Sequence, residues 1–151
     1  MVTTKWILGV HAEDLADAYA IRREVFIREQ GIAEEIEMDG TDASALHVVV
    51  YWDGTPAATG RLLVTRDAFM LGRLAVLPAF RGKKLGDLTV RLLVRMAFSM
   101  GGTRQHCHAQ IPARGFWERM GFVAEGDIYE EAGIPHINMY HEGDVTGACS
   151  A

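Results

Sequence analysis

The chain has 151 residues, of which 49% are hydrophobic and 23% are charged, and its formal net charge is −5. This size and composition are typical of one globular domain with a buried core, and the negative charge argues against a nucleic-acid partner. No apolar run reaches the roughly 20 residues that cross a bilayer, and the N-terminal segment lacks the apolar core of a signal peptide. We therefore expect a cytoplasmic protein with no membrane partner, in which Cys107 and Cys149 are free thiols.

Alternating apolar residues and turn residues divide the chain into short strands and helices. In chain order the predicted elements are a strand (5–10), a helix (12–27), three strands joined by tight turns (46–52, 55–64 and 69–76), a long helix (85–100), a strand (103–110), a short helix (113–120) and a final hairpin (123–129 and 134–141). The segment between the first helix and the second strand is expected to be a loop with one helical turn. These elements predict an α/β fold in which helices flank a mixed, mostly antiparallel, twisted sheet.

The long helix carries one regular apolar stripe. Its members recur at three- and four-residue steps, which places them on one face of a helix. They are Leu85, Leu88, Leu92, Met96 and Met100. We expect this face, with Leu92 at its centre, to cover the sheet.

A basic, glycine-containing turn lies between the strand that ends at Val76 and the long helix. Backbone N–H groups in such a turn and in the first turn of a helix have no intrahelical acceptor, and the helix dipole adds partial positive charge there. Arg81, Lys83 and Lys84 add formal charge beside these groups. The turn therefore predicts a site for a phosphate-bearing ligand, although the sequence contains neither a Walker A loop nor the G-x-G-x-x-G dinucleotide motif.

The turn resembles the acyl-CoA signature R/Q-x-x-G-x-G/A of the GNAT (N-acyltransferase) superfamily, which follows a strand that ends V-x-P. The matching residues are Val76, Pro78, Arg81 and Gly86, while Lys84 stands where the family usually has its middle glycine. The amide of a lysine can still donate a hydrogen bond to a phosphate. This substitution requires an unstrained backbone at Lys84.

Motifs elsewhere in the chain extend the resemblance. Residues 113–122 resemble the second superfamily signature, A-x-x-F-Y-x-x-x-G-F, and Gln110 lies upstream of it where the family tends to carry Asn or Gln. The segments and residues that resemble a narrower, ElaA-like group are 25–30, 37–42, His47, 133–136 and Met139. The resemblance spans residues 6–142. It implies a single GNAT domain at 1–142, followed by a flexible C-terminal tail at 143–151.

The resemblance implies an N-acetyltransferase that transfers the acetyl group of acetyl-CoA to a primary amine of a small molecule or peptide, without a metal. It also implies that main-chain N–H groups of the central strand hold the thioester carbonyl and that the turn holds the pyrophosphate. Gln110 would then bond the pantetheine arm, and Trp117 would pack against it. The cofactor-binding residues expected on this basis are Leu74, Ala75, Val76, Arg81, Gly82, Lys83, Lys84, Leu85, Gly86, Gln110, Phe116 and Trp117.

The proton-transfer residues are harder to assign, because Trp117 replaces the tyrosine that protonates the leaving thiolate in the family. An indole N–H is only a donor and cannot act as a useful acid. Alternate residues of a strand share a face, so we expect His108 to face the same cleft as Gln110 and to serve as base or acid. Further candidates on the acceptor side are Glu37, Tyr129 and His136.

Several alternatives stay open. His108 is equally well explained as a hydrogen-bonded structural residue, and His106 with His108 has the spacing of a metal-binding pair, but no third ligand follows at a suggestive spacing. The substitutions at Trp117 and Lys84 are also consistent with a non-catalytic acyl-CoA-binding sensor or interaction module. The sequence does not identify the acceptor, and a homodimer is an open alternative to a monomer.

Overall fold

Seven strands form one sheet, and residues 1–145 are the part of the chain that the computed structural model describes. The strands are β1 (Val2–Leu8), β2 (Ala45–Trp52), β3 (Thr55–Val64), β4 (Phe69–Val76), β5 (Arg104–Gln110), β6 (Val123–Glu131) and β7 (Ile134–Glu142). Their order in the sheet is β1-β2-β3-β4-β5-β7-β6. Among these described strands only β4 and β5 run parallel. The predicted mixed, mostly antiparallel sheet is therefore confirmed.

Within residues 1–145, four α-helices flank the sheet: α1 (Ala16–Arg22), α2 (Glu34–Glu37), α3 (Leu85–Ser99) and α4 (Arg114–Arg119). The prediction of one continuous helix over 12–27 is wrong, because a 3₁₀ turn (Ala12–Leu15) precedes α1 and a π-helix (Arg23–Glu29) follows it. The wider π turn ends with the Gln30 N–H donating to the Val25 carbonyl at 3.1 Å. A π turn inserts residues without breaking the helix and often lies at functional sites. Here it carries Gln30 to the site described below.

The buried face of α3 is rotated from the predicted stripe. Leu92 and Met96 are only half-buried and Met100 is 47% exposed. The residues that α3 buries are Leu85, Thr89, Val90, Leu93, Val94 and Ala97. The prediction failed because α3 is apolar around more than one side, so periodicity alone did not select the face. A pattern of apolar residues also does not predict the burial of Thr89, which is polar. Its hydroxyl is satisfied inside the core because it donates to the Leu85 carbonyl at 2.7 Å.

The two faces of the sheet have separate cores because alternate side chains of a strand point to opposite faces. On one face, Leu15 of the 3₁₀ turn and Ile21 of α1 are buried against Val49 of β2. On the other face, α3 packs against Val48 of β2 and Leu62 of β3. The end of α1 and the segment after it therefore lie over one face, and the beginning of α3 lies over the other.

β4 and β5 separate halfway along their length. Their paired residues are limited to Phe69–Leu71 of β4 and Gln105–Cys107 of β5. Beyond this point β4 continues along β3, with a register shift near Arg73, whose φ of +50° lies in the left-handed region. Such a bulge bends a strand and increases its twist. The separation opens a gap in the middle of the sheet, and one edge of β4 there has no strand partner.

The chain beyond β7 is only partly described. Cys149 and the predicted tail at 143–151 lie, from residue 146 onward, outside the described residues. Within residues 1–145, no helix combines the length and apolar character needed to cross a membrane. Cys107, in β5, is a free and buried thiol, and burial raises its pKa above the ordinary value.

Candidate active site

A cleft of about 730 Å³ occupies the gap between β4 and β5. Of the residues predicted to bind the cofactor, Leu74, Gln110, Phe116 and Trp117 line it. The side chain of Ala75 instead joins the core under α1, and the glycine turn follows the end of β4. The charged and imidazole residues that line the cleft are Glu37, Asp39, Arg61, Arg73, His108, Glu131 and His136.

The glycine turn has the backbone geometry of an anion-binding nest. Gly82 and Lys84 have φ values of +82° and +61°, and such alternation turns successive N–H groups toward one side. Among the described residues, no backbone acceptor receives a hydrogen bond from the amides of 82–87. The expectation of an unstrained Lys84 is wrong: a non-glycine residue in this region carries a strain of about 1–3 kcal/mol. The fold sustains that strain where α3 begins.

Two of the three basic side chains of the turn, those of Arg81 and Lys83, have protein partners. Arg81 forms a bidentate ion pair with Glu29 at 2.6 and 2.8 Å, and its Nε donates to the Val76 carbonyl at 3.1 Å. The hydrogen bonds from Arg81 lower the pKa of the Glu29 carboxyl. Lys83 lies over the Trp52 ring, 4.8 Å from its centroid. Arg81 thus fixes the turn against the end of the π-helix, and the amides and the Lys84 side chain are the groups left to meet an anion.

Gln110 and Trp117 occupy opposite environments at the edge of the cleft. The Gln110 amide donates to Gln30 Oε1 at 2.8 Å, which joins the end of β5 to the segment after the π-helix. Trp117 is only 6% exposed and makes edge contacts with Phe116 and Phe122, with ring centroids 5.6 and 4.9 Å apart. Trp117 is therefore mainly a core residue whose surface forms part of the cleft wall.

Three candidate catalytic residues, His108, Tyr129 and His136, lie together beside the cleft. His108 Nδ1 is 3.0 Å from Glu131 Oε1. The Tyr129 ring meets His108 edge-on and stacks on His136, with centroid distances of 6.0 and 6.1 Å. The Tyr129 hydroxyl donates to Asn138 Oδ1 at 2.6 Å. Burial, with the Glu131 charge adding to it, raises the pKa of Tyr129 to about 12, so the phenol stays neutral near neutral pH.

Glu131 is a member of this group that the sequence analysis missed. The strand prediction ended at residue 129, whereas β6 continues to Glu131. Alternate residues of a strand share a face. Extending the predicted strand by two residues would therefore have placed Glu131 on the same face as Tyr129. His136 lies nearby, with its Nε2 3.9 Å from Glu131 Oε2 and its Nδ1 2.7 Å from the Ile134 carbonyl.

Glu37, the fourth candidate, belongs to a buried ion network on the other side of the cleft. Its side chain is 3% exposed, with Oε1 2.6 Å from Arg22 Nε and Oε2 3.0 Å from Arg73 Nε. Burial raises the pKa of Glu37, and the charge of Arg22 offsets only part of that effect. Both carboxylate oxygens are already paired, so Glu37 is poorly placed to accept a proton. The sequence made Glu37 a candidate on the acceptor side, but its side chain is neither exposed nor unpaired.

The network continues through Asp42. Arg22 donates to Asp42 at 2.8 Å and Arg61 donates to it at 3.1 Å. Burial opposes ionisation of Asp42, but the hydrogen bonds from the two arginines outweigh it, and the pKa of Asp42 is lowered. Asp39 pairs with Arg73 at 3.0 Å. Six residues, Arg22, Arg61, Arg73, Glu37, Asp39 and Asp42, thus form a charge-balanced unit, which we call the arginine–carboxylate network.

Within residues 1–145, no group of three or more His, Cys, Asp or Glu side chains is arranged to hold a metal ion. His106 and His108 share a strand face, but His106 lies at a separate, smaller depression near Thr103.

The cleft, the anion-binding turn and the separated strands define an acyltransferase-like site, and comparison with known proteins identifies the class. Residues 12–142 match the family model described as acetyltransferase (GNAT) domain. The chain therefore belongs to the GNAT acetyltransferase family, and the resemblance stated from the sequence is confirmed.

Individual relatives agree with this assignment. The chain is 34% identical to YyaT of Bacillus subtilis (strain 168), over 85% of this chain and 89% of that protein. It is 29% identical to ElaA of Escherichia coli (strain K12), over 87% of this chain and 92% of ElaA. A crystal structure of an acyl-CoA N-acyltransferase from Pseudomonas aeruginosa is 28% identical, with a TM-score of 0.83, and covers 93% of this chain and 99% of that one. The expected relationship to ElaA is thus confirmed.

Proposed function

We propose that this protein is an N-acetyltransferase that transfers the acetyl group of acetyl-CoA to a primary amine of a small molecule or peptide. The observation that carries the proposal is the separation of β4 from β5 beside the glycine turn. The separation leaves main-chain groups of β4 without a strand partner along a cleft. The turn adds amides without backbone acceptors next to the end of that strand. A long ligand with amide groups and a phosphate end fits this arrangement.

In this proposal the pyrophosphate lies on the turn from Arg81 to Gly86, held by backbone N–H groups at the beginning of α3. The thioester carbonyl accepts a hydrogen bond from the main chain of β4 between Leu74 and Val76. Gln110 bonds the pantetheine arm, and Phe116 lines its path. Gly82, Lys83, Lys84 and Leu85 contribute mainly through their amides, since Arg81 and Lys83 already have side-chain partners.

A charge placed at Gly86 tests this cofactor position. Gly86→Asp would bring a carboxylate toward the phosphates, and we expect coenzyme A affinity to fall at least tenfold. Gly86→Ala is the matched control, because a Cβ there meets Phe116 and Val76 at 3.6 Å, an ordinary contact distance. Calorimetric titration with coenzyme A measures both. Equal affinities for the aspartate variant and the parent would show that the pyrophosphate does not bind at this turn.

The chemistry requires the amine nitrogen to attack the thioester carbonyl carbon, the C–S bond to break and the amine proton to leave. We assign proton transfer to His108, which lines the cleft and whose Nδ1 faces Glu131 at 3.0 Å. Nε2 is then the nitrogen available to take the amine proton, and the same imidazolium can protonate the thiolate. Tyr129 and His136 complete the surroundings of His108 in this assignment. Main-chain N–H groups of β4 stabilise the developing oxyanion.

One experiment distinguishes the proposed acetyltransferase from a non-catalytic acyl-CoA-binding module. That module is favoured by Trp117, which stands where the family has its usual acid and is packed into the core. Acetyl-CoA is mixed with a panel of primary amines while release of free thiol is followed, and coenzyme A binding is measured in parallel. We expect amine-dependent thiol release. Binding of coenzyme A without thiol release for every amine would instead establish a binding module.

A further inference from the structure

The charges that line the cleft cancel except at one place. Arg61 and Arg73 are paired within the arginine–carboxylate network, which also uses Glu37 and Asp39. Among the described residues that line the cleft, Glu131 is the carboxylate without an arginine partner, and its neighbours are histidines. With neutral histidines the cleft therefore carries one uncompensated negative charge, beside His108.

Several apolar side chains line the cleft away from the glycine turn. Leu63 and Met70 pair with each other across β3 and β4, and Met70 lies near the beginning of β4, whereas the turn follows its end. Ile32 and Ile36 from the α2 region also line the cleft. Ile36 is 49% exposed, although it is a large apolar residue. An exposed apolar side chain inside a concave site is typical of ligand contact rather than of core packing.

We infer that the acetyl acceptor is a primary amine with a single positive charge on an apolar alkyl or aralkyl body. This inference rests on the proposed function. The ammonium group lies at the His108–Glu131 pair, where the cleft has its unpaired negative charge, and loses one proton to solvent before attack. The second amine proton passes to His108 during attack and from His108 to the departing thiolate. The apolar body extends toward Leu63, Met70 and Ile36. Arg61, Arg73 and Asp39 are already paired with one another, so a second charge on the acceptor, of either sign, would lose hydration there and would have to compete with those pairs for a partner.

Acceptor series test this inference directly. We expect kcat/KM to rise from ethylamine to hexylamine by about fourfold for each methylene that the apolar wall buries, since each contributes about 0.8 kcal/mol. Aminohexanoate and diaminohexane have the same chain length but a charged far end, and both should react at least tenfold less efficiently than hexylamine. A flat series, or a preference for either doubly charged compound, would overturn the inference while leaving amine acetylation intact.

Ile36→Ser examines the wall itself. The variant should lower kcat/KM for hexylamine several-fold. It should leave kcat/KM for ethylamine and the affinity for coenzyme A unchanged. Leu8→Ser is the matched control, because Leu8 is 52% exposed on β1, at the edge of the sheet far from the cleft. Equal hexylamine activity in the two variants would contradict the apolar contact. Absence of thiol release with every amine would overturn the proposed function and the acceptor class together.

Discussion

Removing the guanidinium of Arg22 should strongly destabilise the fold, although Arg22 lies outside the cleft lining. Arg22 is 1% exposed and donates to Glu37 Oε1 at 2.6 Å, to Asp42 Oδ1 at 2.8 Å and to the Glu37 carbonyl at 3.0 Å. Arg22→Met keeps much of the volume but leaves two buried carboxylates short of their partner. Breaking a buried pair in this way costs about 3–5 kcal/mol. For a domain of this size that corresponds to a fall in Tm of about 6–20 °C.

The matched control is the adjacent Arg23→Met. Arg23 is exposed and pairs only with Glu34, which is also exposed, at 2.8 Å. An exposed pair contributes about 0–1 kcal/mol, so this variant should unfold almost as the parent does. Urea denaturation, with the midpoint and slope measured for both variants, gives the comparison. If the two variants lost the same stability, the energetic role of the network would be refuted.

The deficit of Arg22→Met should also depend on pH. Asp42 has a lowered pKa in the folded parent. Its stabilising contribution is therefore complete above the unfolded pKa of about 3.9 and is lost as the pH falls through the folded value. Once Glu37 is protonated it carries no charge, so the loss of Arg22 costs less stability. The stability curves of parent and variant should consequently converge as the pH is lowered below about 4, through the folded pKa of Asp42, and divergence in that range would contradict this assignment of charges.

Two further predictions concern catalysis and the helix face. His108→Ala should keep the affinity for coenzyme A and lose turnover by about 10²–10⁴-fold, the usual contribution of a general acid–base group; parent-like turnover throughout the neutral pH range would make His108 structural. Leu93→Ala should cost about 2–5 kcal/mol because Leu93 is fully buried, whereas half-buried Leu92→Ala should cost less than half as much. Urea unfolding measures both, and the reverse order would restore the stripe predicted from periodicity.

Much of the fold followed from local pattern. The bounds of β3 and β4 were predicted as the structure has them, because tight turns and β-rich runs report the geometry of the few residues that form them. The glycine turn and the beginning of α3 were located for the same reason. The π-helix was not, since its wider turn has no distinct sequence signature and depends on the contacts at its end. Glu131 was missed because the predicted strand ended two residues before the end of β6.

The sequence alone therefore determined the order of the elements, the family and the place of the glycine turn, because short motifs specify backbone conformation directly. The tertiary structure decided which groups meet. Gln30 reaches Gln110 across 80 residues of chain and Glu29 reaches Arg81 across 52, and neither contact has a local signal. Likewise, Glu37 could be assigned as exposed or buried only once Arg22 and Arg73 were brought to it. Burial and pairing are properties of neighbours in space, and in this protein they separate the cluster of His108, Tyr129, Glu131 and His136 from the buried charges that hold the opposite wall.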